Sequence, residues 1–298
     1  QTVFAESQGR LVTFDPILAA ASNPDVLVNR KNDLWTKKGS QAKRGLNNFD
    51  QAKFCKFFIK GLKAHMEDSE KNSPLNRKGF DAFAYLMAYE EDILALYPSE
   101  DLSKLQKAAL HFVEIGKEEV ELDYLRYVAT YDDLILGSLS SNTDGKPWEE
   151  FIQYTGKVHY ERVGRNELMD GTRTVVDFFD STKYIATYPQ VLDLFTRESG
   201  SLDNNKAAVA YITAGAAGGL VRNAFNHNVY LANYPEILEE DIYVNKEISP
   251  VKVAKIWLER FKDGIDLSKF DATDYRESNG LEESADVYFN FVNSKKNE

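Results

Sequence analysis

Cysteine is all but missing. One of the 298 residues, Cys55, is a cysteine, so no disulfide can close within the chain and nothing in its composition calls for an oxidising compartment. No apolar run approaches the roughly 20 residues that span a bilayer, which excludes a membrane-spanning helix. Methionine is scarce, 3 residues against 16 Tyr and 18 Phe, so aromatic rings carry much of the packing. The four histidines, His65, His111, His159 and His227, have neither His-x-x-x-His spacing nor a cysteine cluster beside them, and no metal or other cofactor is expected. No Gly-x-Ser-x-Gly elbow is present. The Gly-rich run Ala214-Gly215-Ala216-Ala217-Gly218-Gly219 lacks the Lys-Ser/Thr of a phosphate loop and reads as a small-residue helix end. The sequence opens at Gln1 rather than Met, so something upstream was removed or is not included, and a cleaved signal would fall outside this numbering.

What is present is a large apolar fraction. Hydrophobic residues make up 43% and aromatic residues 12%, enough for a sizeable core in one elongated array or two compact domains. The net charge of −11 is unevenly spread: residues 1–78 carry 14 Lys and Arg against 8 Asp and Glu, about +6, which leaves about −17 for the rest. That polarity suits contact with other proteins and argues against nucleic acid as a partner. Differently charged solvated helix faces would give the same count.

One pattern organises the chain. An aromatic or aliphatic residue followed by Asp or Asn recurs at Phe14-Asp15, Phe80-Asp81, Leu122-Asp123, Phe179-Asp180, Phe225-Asn226 and Phe270-Asp271. Asp and Asn are strong helix N-caps, and the preceding apolar residue can act as a hydrophobic staple. From Phe80 onward a Tyr follows five residues after each opener: Tyr85, Tyr127, Tyr184, Tyr230 and Tyr275. In four copies a second Tyr stands four further on, at Tyr89, Tyr131, Tyr188 and Tyr234. Residues i and i+4 share a helix face, so both rings are expected in one groove. An acidic pair or Pro-x and then two aliphatics follow, which predicts a tight corner and a short second turn. A further helix carries an aromatic with Gly four residues later, at Phe57…Gly61, Phe112…Gly116, Tyr160…Gly164 and Tyr211…Gly215, while Trp257 is followed by Phe261 instead. Each Gly either admits close packing or ends the helix. The openers lie 42 to 66 residues apart, and a period of that size predicts an all-α tandem array of short helical units with polar inserts.

The boundaries follow from this pattern. Residues 1–13 form a lead-in, read as a loosely tied end or a docking arm. Residues 14–78 form a degraded first copy with a polar insert holding Arg30, Lys31, Trp35, Lys37, Lys38, Lys43 and Arg44. That insert is either a basic arm that grips an acidic partner surface or a phosphate backbone, or a solvated excursion pinned by Trp35. Residues 80–269 form the array proper, and residues 270–298 an incomplete last copy whose polar tail caps it. Carboxylates are plentiful at Glu90-Glu91-Asp92, Glu118-Glu119, Asp132-Asp133 and Glu239-Glu240-Asp241. Adjacent carboxylates do not face each other across a cleft as a glycosidase needs, and these read as corner residues and helix starts.

Two stretches carry a resemblance. Asp123-Tyr124-Leu125-Arg126-Tyr127-Val128-Ala129-Thr130-Tyr131-Asp132-Asp133-Leu134-Ile135, followed by His159-Tyr160-Glu161-Arg162-Val163-Gly164-Arg165-Asn166-Glu167, resembles a repeat running Phe-Asp…Tyr-Leu-Ala-Ser-Tyr-x-Asp-Leu-Ile, then His-Tyr-x-x-x-Gly-x-x-Glu-Gly-Arg. That repeat is found in large bacterial secreted or surface proteins and in proteins of large double-stranded DNA viruses of algae and protists. The similarity covers roughly residues 80–275, with a degraded copy at 14–62. His111-Phe112…Gly116…Glu119 keeps the second half, Ala210-Tyr211 lacks the His, and Leu168-Met169 stand where the pattern has Gly-Arg. No catalytic role attaches to that repeat. The resemblance implies a structural or interaction protein, located in the virion if viral, as a minor capsid protein in a multi-component assembly. The alternatives are a secreted or surface bacterial protein that binds protein or glycan, and a carboxylate-dependent enzyme with its site between repeats.

Overall fold

The computed structural model describes residues 3–7, 10–14, 80–98, 100, 102–115, 120–261 and 264–296. The insert with Arg30, Lys31, Trp35, Lys37, Lys38, Lys43 and Arg44, the cap Asp15, Cys55, Gly61 and Gly116 lie outside the described residues. The chain divides into two units, residues 1–122 and 123–298. The division falls at the Leu122-Asp123 opener, inside the stretch 80–269 expected as one array. The described residues are mostly helical, with twelve α-helices and two two-stranded ladders.

In the first unit, residues 1–13 hold more than a loose end. Strand β1 (Val3–Ser7) pairs antiparallel with β2 (Arg10–Phe14), in a register that sets Val3 against Phe14 and Ser7 against Arg10. Phe14, expected to staple a helix, is instead the last residue of a strand. Helix α1 (Ala82–Leu96) starts where Asp81 accepts a hydrogen bond from the Ala84 N–H at 3.0 Å. It packs on α2 (Lys104–Ile115), which opens with a capping box: the Ser103 hydroxyl accepts from Gln106 N–H while Gln106 accepts from Ser103 N–H. Leu86 and Ile93 of α1 and Ala108, Ala109 and Leu110 of α2 are buried.

The second unit contains α3 (Tyr124–Thr130), α4 (Asp132–Ser141) and α5 (Trp148–His159). Helix α5 widens into one π turn, Tyr160–Gly164, and runs on as α6 (Arg165–Asp170). Next come α7 (Ser181–Thr187), a 3-10 turn (Pro189–Phe195) and α8 (Asn204–Ala210), which widens in the same way at Tyr211–Gly215. Then follow α9 (His227–Asn233), a 3-10 turn (Pro235–Glu239), the hairpin of β3 (Tyr243–Val244) and β4 (Glu247–Ile248), α10 (Pro250–Phe261), α11 (Ala272–Asn279) and α12 (Val287–Lys296). Asn245 and Lys246 both have positive φ, the geometry of a tight two-residue hairpin turn.

Packing in this unit follows a rule. Each helix begun by an opener lies against the next long helix in sequence: α3 on α5, α7 on α8, α9 on α10 and α11 on α12. It also lies against the long helix after that: α3 on α8, α7 on α10 and α9 on α12. The core includes fully covered side chains, among them Tyr127, Ile152, Ile185, Ile212, Leu231, Ile237 and Val253. Residues 270–298 are more complete than the sequence suggests, because residues 293–296 belong to α12 and Phe291 stands 4.7 Å from the ring of Phe270.

Candidate functional site

The openers place their caps as expected. Asp123 accepts from Arg126 N–H, Asp180 from Lys183 N–H, Asn226 from Asn228 and Val229 N–H, and Asp271 from Thr273 and Asp274 N–H. Each satisfies backbone donors that the first helical turn leaves without a partner.

The cap fixes where the first tyrosine points, and in all five copies that ring meets the aromatic of the following long helix edge-on. The interplanar angles are 79° for Tyr85 on Phe112, 76° for Tyr127 on Tyr160, 66° for Tyr184 on Tyr211, 80° for Tyr230 on Trp257 and 86° for Tyr275 on Phe291. The opener ring adds a third member: Phe80 stacks on Phe112 at 4.4 Å and Phe179 on Tyr211 at 5.1 Å. Edge-to-face and offset-stacked pairs set the partly negative ring face against a partly positive edge. Sequence spacing alone identified these tyrosines, and the structure gives each the same neighbour.

The glycine of the second-half motif is explained by the tyrosine hydroxyl. A Cβ on Gly164 would lie 2.2 Å from Tyr127 Oη and 3.0 Å from His159 Nδ1. On Gly215 it would lie 2.9 Å from Tyr184 Oη. The helix does not end at Gly164, where φ is −58°; it ends at Gly171, at φ 81°. Close approach is therefore what Gly164 supplies. Beside it, Tyr127 Oη and His159 Nδ1 share a hydrogen bond of 3.1 Å, and Tyr85 with His111 forms the same pair at 2.9 Å in the first unit.

The second tyrosines do something the i, i+4 spacing did not reveal. Tyr89, Tyr131, Tyr188 and Tyr234 all leave helical geometry, with φ between −117° and −137°, and make the expected corner. In the second unit their hydroxyls then hold the strand of chain that leads to the next opener. Tyr131 donates to the Thr174 carbonyl at 3.1 Å, while Tyr188 accepts from Val221 N–H and Tyr234 from Asp266 N–H, both at 2.8 Å. The residue before the second Tyr reinforces this: Thr130 accepts from Phe179 N–H and Asn233 from Phe270 N–H.

One polar cluster brings carboxylates together. Arg173 makes a bidentate pair with Asp133 at 2.8 and 3.1 Å, donates Nε–H to Glu167 at 2.8 Å, and lies 4.7 Å over the Tyr131 ring. Leu168-Met169 occupy the place of the Gly-Arg in the resembled repeat, yet Glu167 still has its arginine. The chain turns at Gly171 and Arg173 comes back. That residue was missed because its signal, a glycine two residues before an arginine, is displaced along the sequence. The hydrogen bond from Arg173 is the main cause holding the Asp133 carboxyl below its ordinary value. Burial pushes Tyr127 up and Tyr131 to about 12, and burial followed by the Arg173 charge lowers His159. Both carboxylates are thus committed to one cation, beside an open hollow of 310 Å³ lined by Tyr131, Asp133, Glu167, Thr172, Arg173, Thr174 and Val176. A smaller hollow of 160 Å³ lies among the caps Asp123 and Asp180 and the start of α8. Elsewhere Arg222 pairs with Asp132 and Arg260 with Glu240.

Among the described residues no group of three His, Cys, Asp or Glu side chains could hold a metal ion, and no helix is long and apolar enough to cross a membrane. Compared with protein-family models, with curated proteins and with solved structures, the chain matches none.

Proposed function

We propose that the chain is a tandem array of short helical units with a structural, non-enzymatic role, in which the units present surfaces to other proteins. The observation that carries this reading is the joint built five times over: a capped helix whose first tyrosine is set edge-on against the aromatic of the next long helix. Residue types repeated along a chain in one geometry serve the architecture, whereas a catalytic constellation is needed once. The charge chemistry agrees. Asp133 and Glu167 converge on Arg173, so both carboxylates of this cluster are held in ion pairs with one cation.

Within that class we place the protein in the virion of a large double-stranded DNA virus, as a minor capsid component among neighbouring capsid proteins. The resemblance of the Asp123–Ile135 and His159–Glu167 stretches supports that placement. Mass spectrometry of purified particles tests it. The protein should be present in fixed ratio to the major capsid component, and its absence from every particle preparation would remove the virion placement while leaving the array untouched.

A further inference from the structure

The smaller hollow, 160 Å³ among α3, the start of α7 and the start of α8, is walled by polar groups whose hydrogen-bonding capacity the fold does not use up. Thr182, on α7, lines it and is only 7% exposed. Threonines elsewhere in these helices donate to the carbonyl one turn back: Thr130 to Arg126, Thr155 to Phe151 and Thr187 to Lys183. For Thr182 that carbonyl belongs to Phe178, and it accepts from the Asn223 amide at 2.6 Å instead. The Thr182 hydroxyl makes no hydrogen bond to any described residue, yet it is not among the fully covered polar atoms, so it opens onto the hollow. A hydroxyl on a side chain this deeply covered is expected to have a partner.

The rest of the wall is in the same state. Asp123 and Asp180 each use one carboxylate oxygen as a cap, and the other accepts nothing from the described residues. Asn205 donates its amide to Glu149 at 2.8 Å, which leaves its side-chain oxygen. Arg126 sets its Nε–H on the Phe179 carbonyl at 2.7 Å and its guanidinium 5.4 Å over the Phe178 ring. Leu125, Phe179 and Ala208, all buried, supply the apolar part of the lining. Two carboxylates against one guanidinium disfavour an anion, and the guanidinium disfavours a cation. Donors and acceptors side by side instead suit hydroxyl groups, each of which does both. The volume is close to the about 150 Å³ of a cavity that takes one benzene ring, and well below the roughly 300 Å³ at which pockets for drug-sized ligands begin. We propose that this hollow binds a small uncharged polyhydroxy compound, a polyol or a single sugar ring, with the Thr182 hydroxyl as one of its partners. The site needs only the packing of α3, α7 and α8, so it stands or falls apart from the virion placement.

Amide NMR spectra of the full chain, titrated with xylitol, myo-inositol and glucose, test this. Saturable shifts should be confined to residues 123–126, 180–183 and 204–208, with a Kd of about 1 mM or tighter. Maltotriose separates the sources: its binding marks the end of a longer glycan, and its failure beside binding of the free compounds marks a soluble polyol or sugar. Thr182→Val keeps the side-chain shape and removes a hydroxyl that no protein group uses. It should leave the melting temperature within about 2 °C of the native chain and weaken binding about tenfold. Asn204→Ala, at an exposed position on the same wall, should weaken binding as well. Absence of saturable shifts with all three compounds overturns the proposal, as does binding that neither substitution changes. Tighter binding of phosphate or methylammonium than of any polyol, or a loss of several degrees in Thr182→Val, overturns it too.

Discussion

Gly164 and Gly137 should answer to alanine in opposite directions. Gly164→Ala drives a methyl into the Tyr127 hydroxyl and His159, and overpacking of that kind costs about 1–3 kcal/mol. Gly137, in α4, has nothing within 4 Å of an added Cβ, so Gly137→Ala should gain up to about 1 kcal/mol from helix propensity alone. Thermal melts of the two variants decide this, and matching signs would show that the tyrosine hydroxyl is not what Gly164 accommodates. Tyr184, 4% exposed and in contact with Phe179, Tyr188 and Tyr211, should cost about 3–5 kcal/mol as Tyr184→Ala; a loss well under 1 kcal/mol would mean its ring does not bear on the core. At this scale much was legible, because spacing from a cap determines which face a ring occupies. The role of Arg173 was not, since its partners Asp133 and Glu167 are 40 and 6 residues away and only the turn at Gly171 brings it back.

At the level of elements, the joints between helices are held by single polar contacts whose removal has a predictable size. Thr130→Val leaves the buried Phe179 N–H without its acceptor and should cost about 1–3 kcal/mol, measured by chemical denaturation. The helix corners were legible as Tyr-Asp-Asp and Tyr-Pro runs, but their tyrosine clasps were not, because Thr174, Val221 and Asp266 are backbone partners that no side-chain pattern marks. The same joints predict a pH response. His159 is held below its ordinary value of 6.5, so below that pH the unfolded chain binds a proton before the folded one does. Its contribution is complete above about pH 6.5 and declines as the pH falls. Asp133, lowered from 3.8, loses its contribution only further into acid. Tyr131, raised to about 12, keeps its contribution up to about pH 10 and loses it as the pH rises through 12. His159→Gln should therefore flatten the stability profile between pH 7 and 5 and leave the alkaline limb unchanged; an unaltered slope in that window would assign the acid response elsewhere.

On the scale of the whole molecule, helical class was legible from opener and tyrosine periodicity, whereas the β1–β2 hairpin was not, because residues 3–14 alternate too briefly to separate a strand from a tail. The completeness of the last unit was also hidden: Asn290-Phe291 stands where two other units have His111-Phe112 and His159-Tyr160, and the missing His masks the motif while the ring contact survives. The central claim is that stability in residues 123–298 is passed between neighbouring units rather than shared by one undivided core. Hydrogen exchange on Tyr230→Ala, read segment by segment, tests it most directly. The array predicts faster exchange in α9, α10 and α12, with α3 and α5 keeping their protection. An equal rise across every helix from α3 to α12 would contradict it.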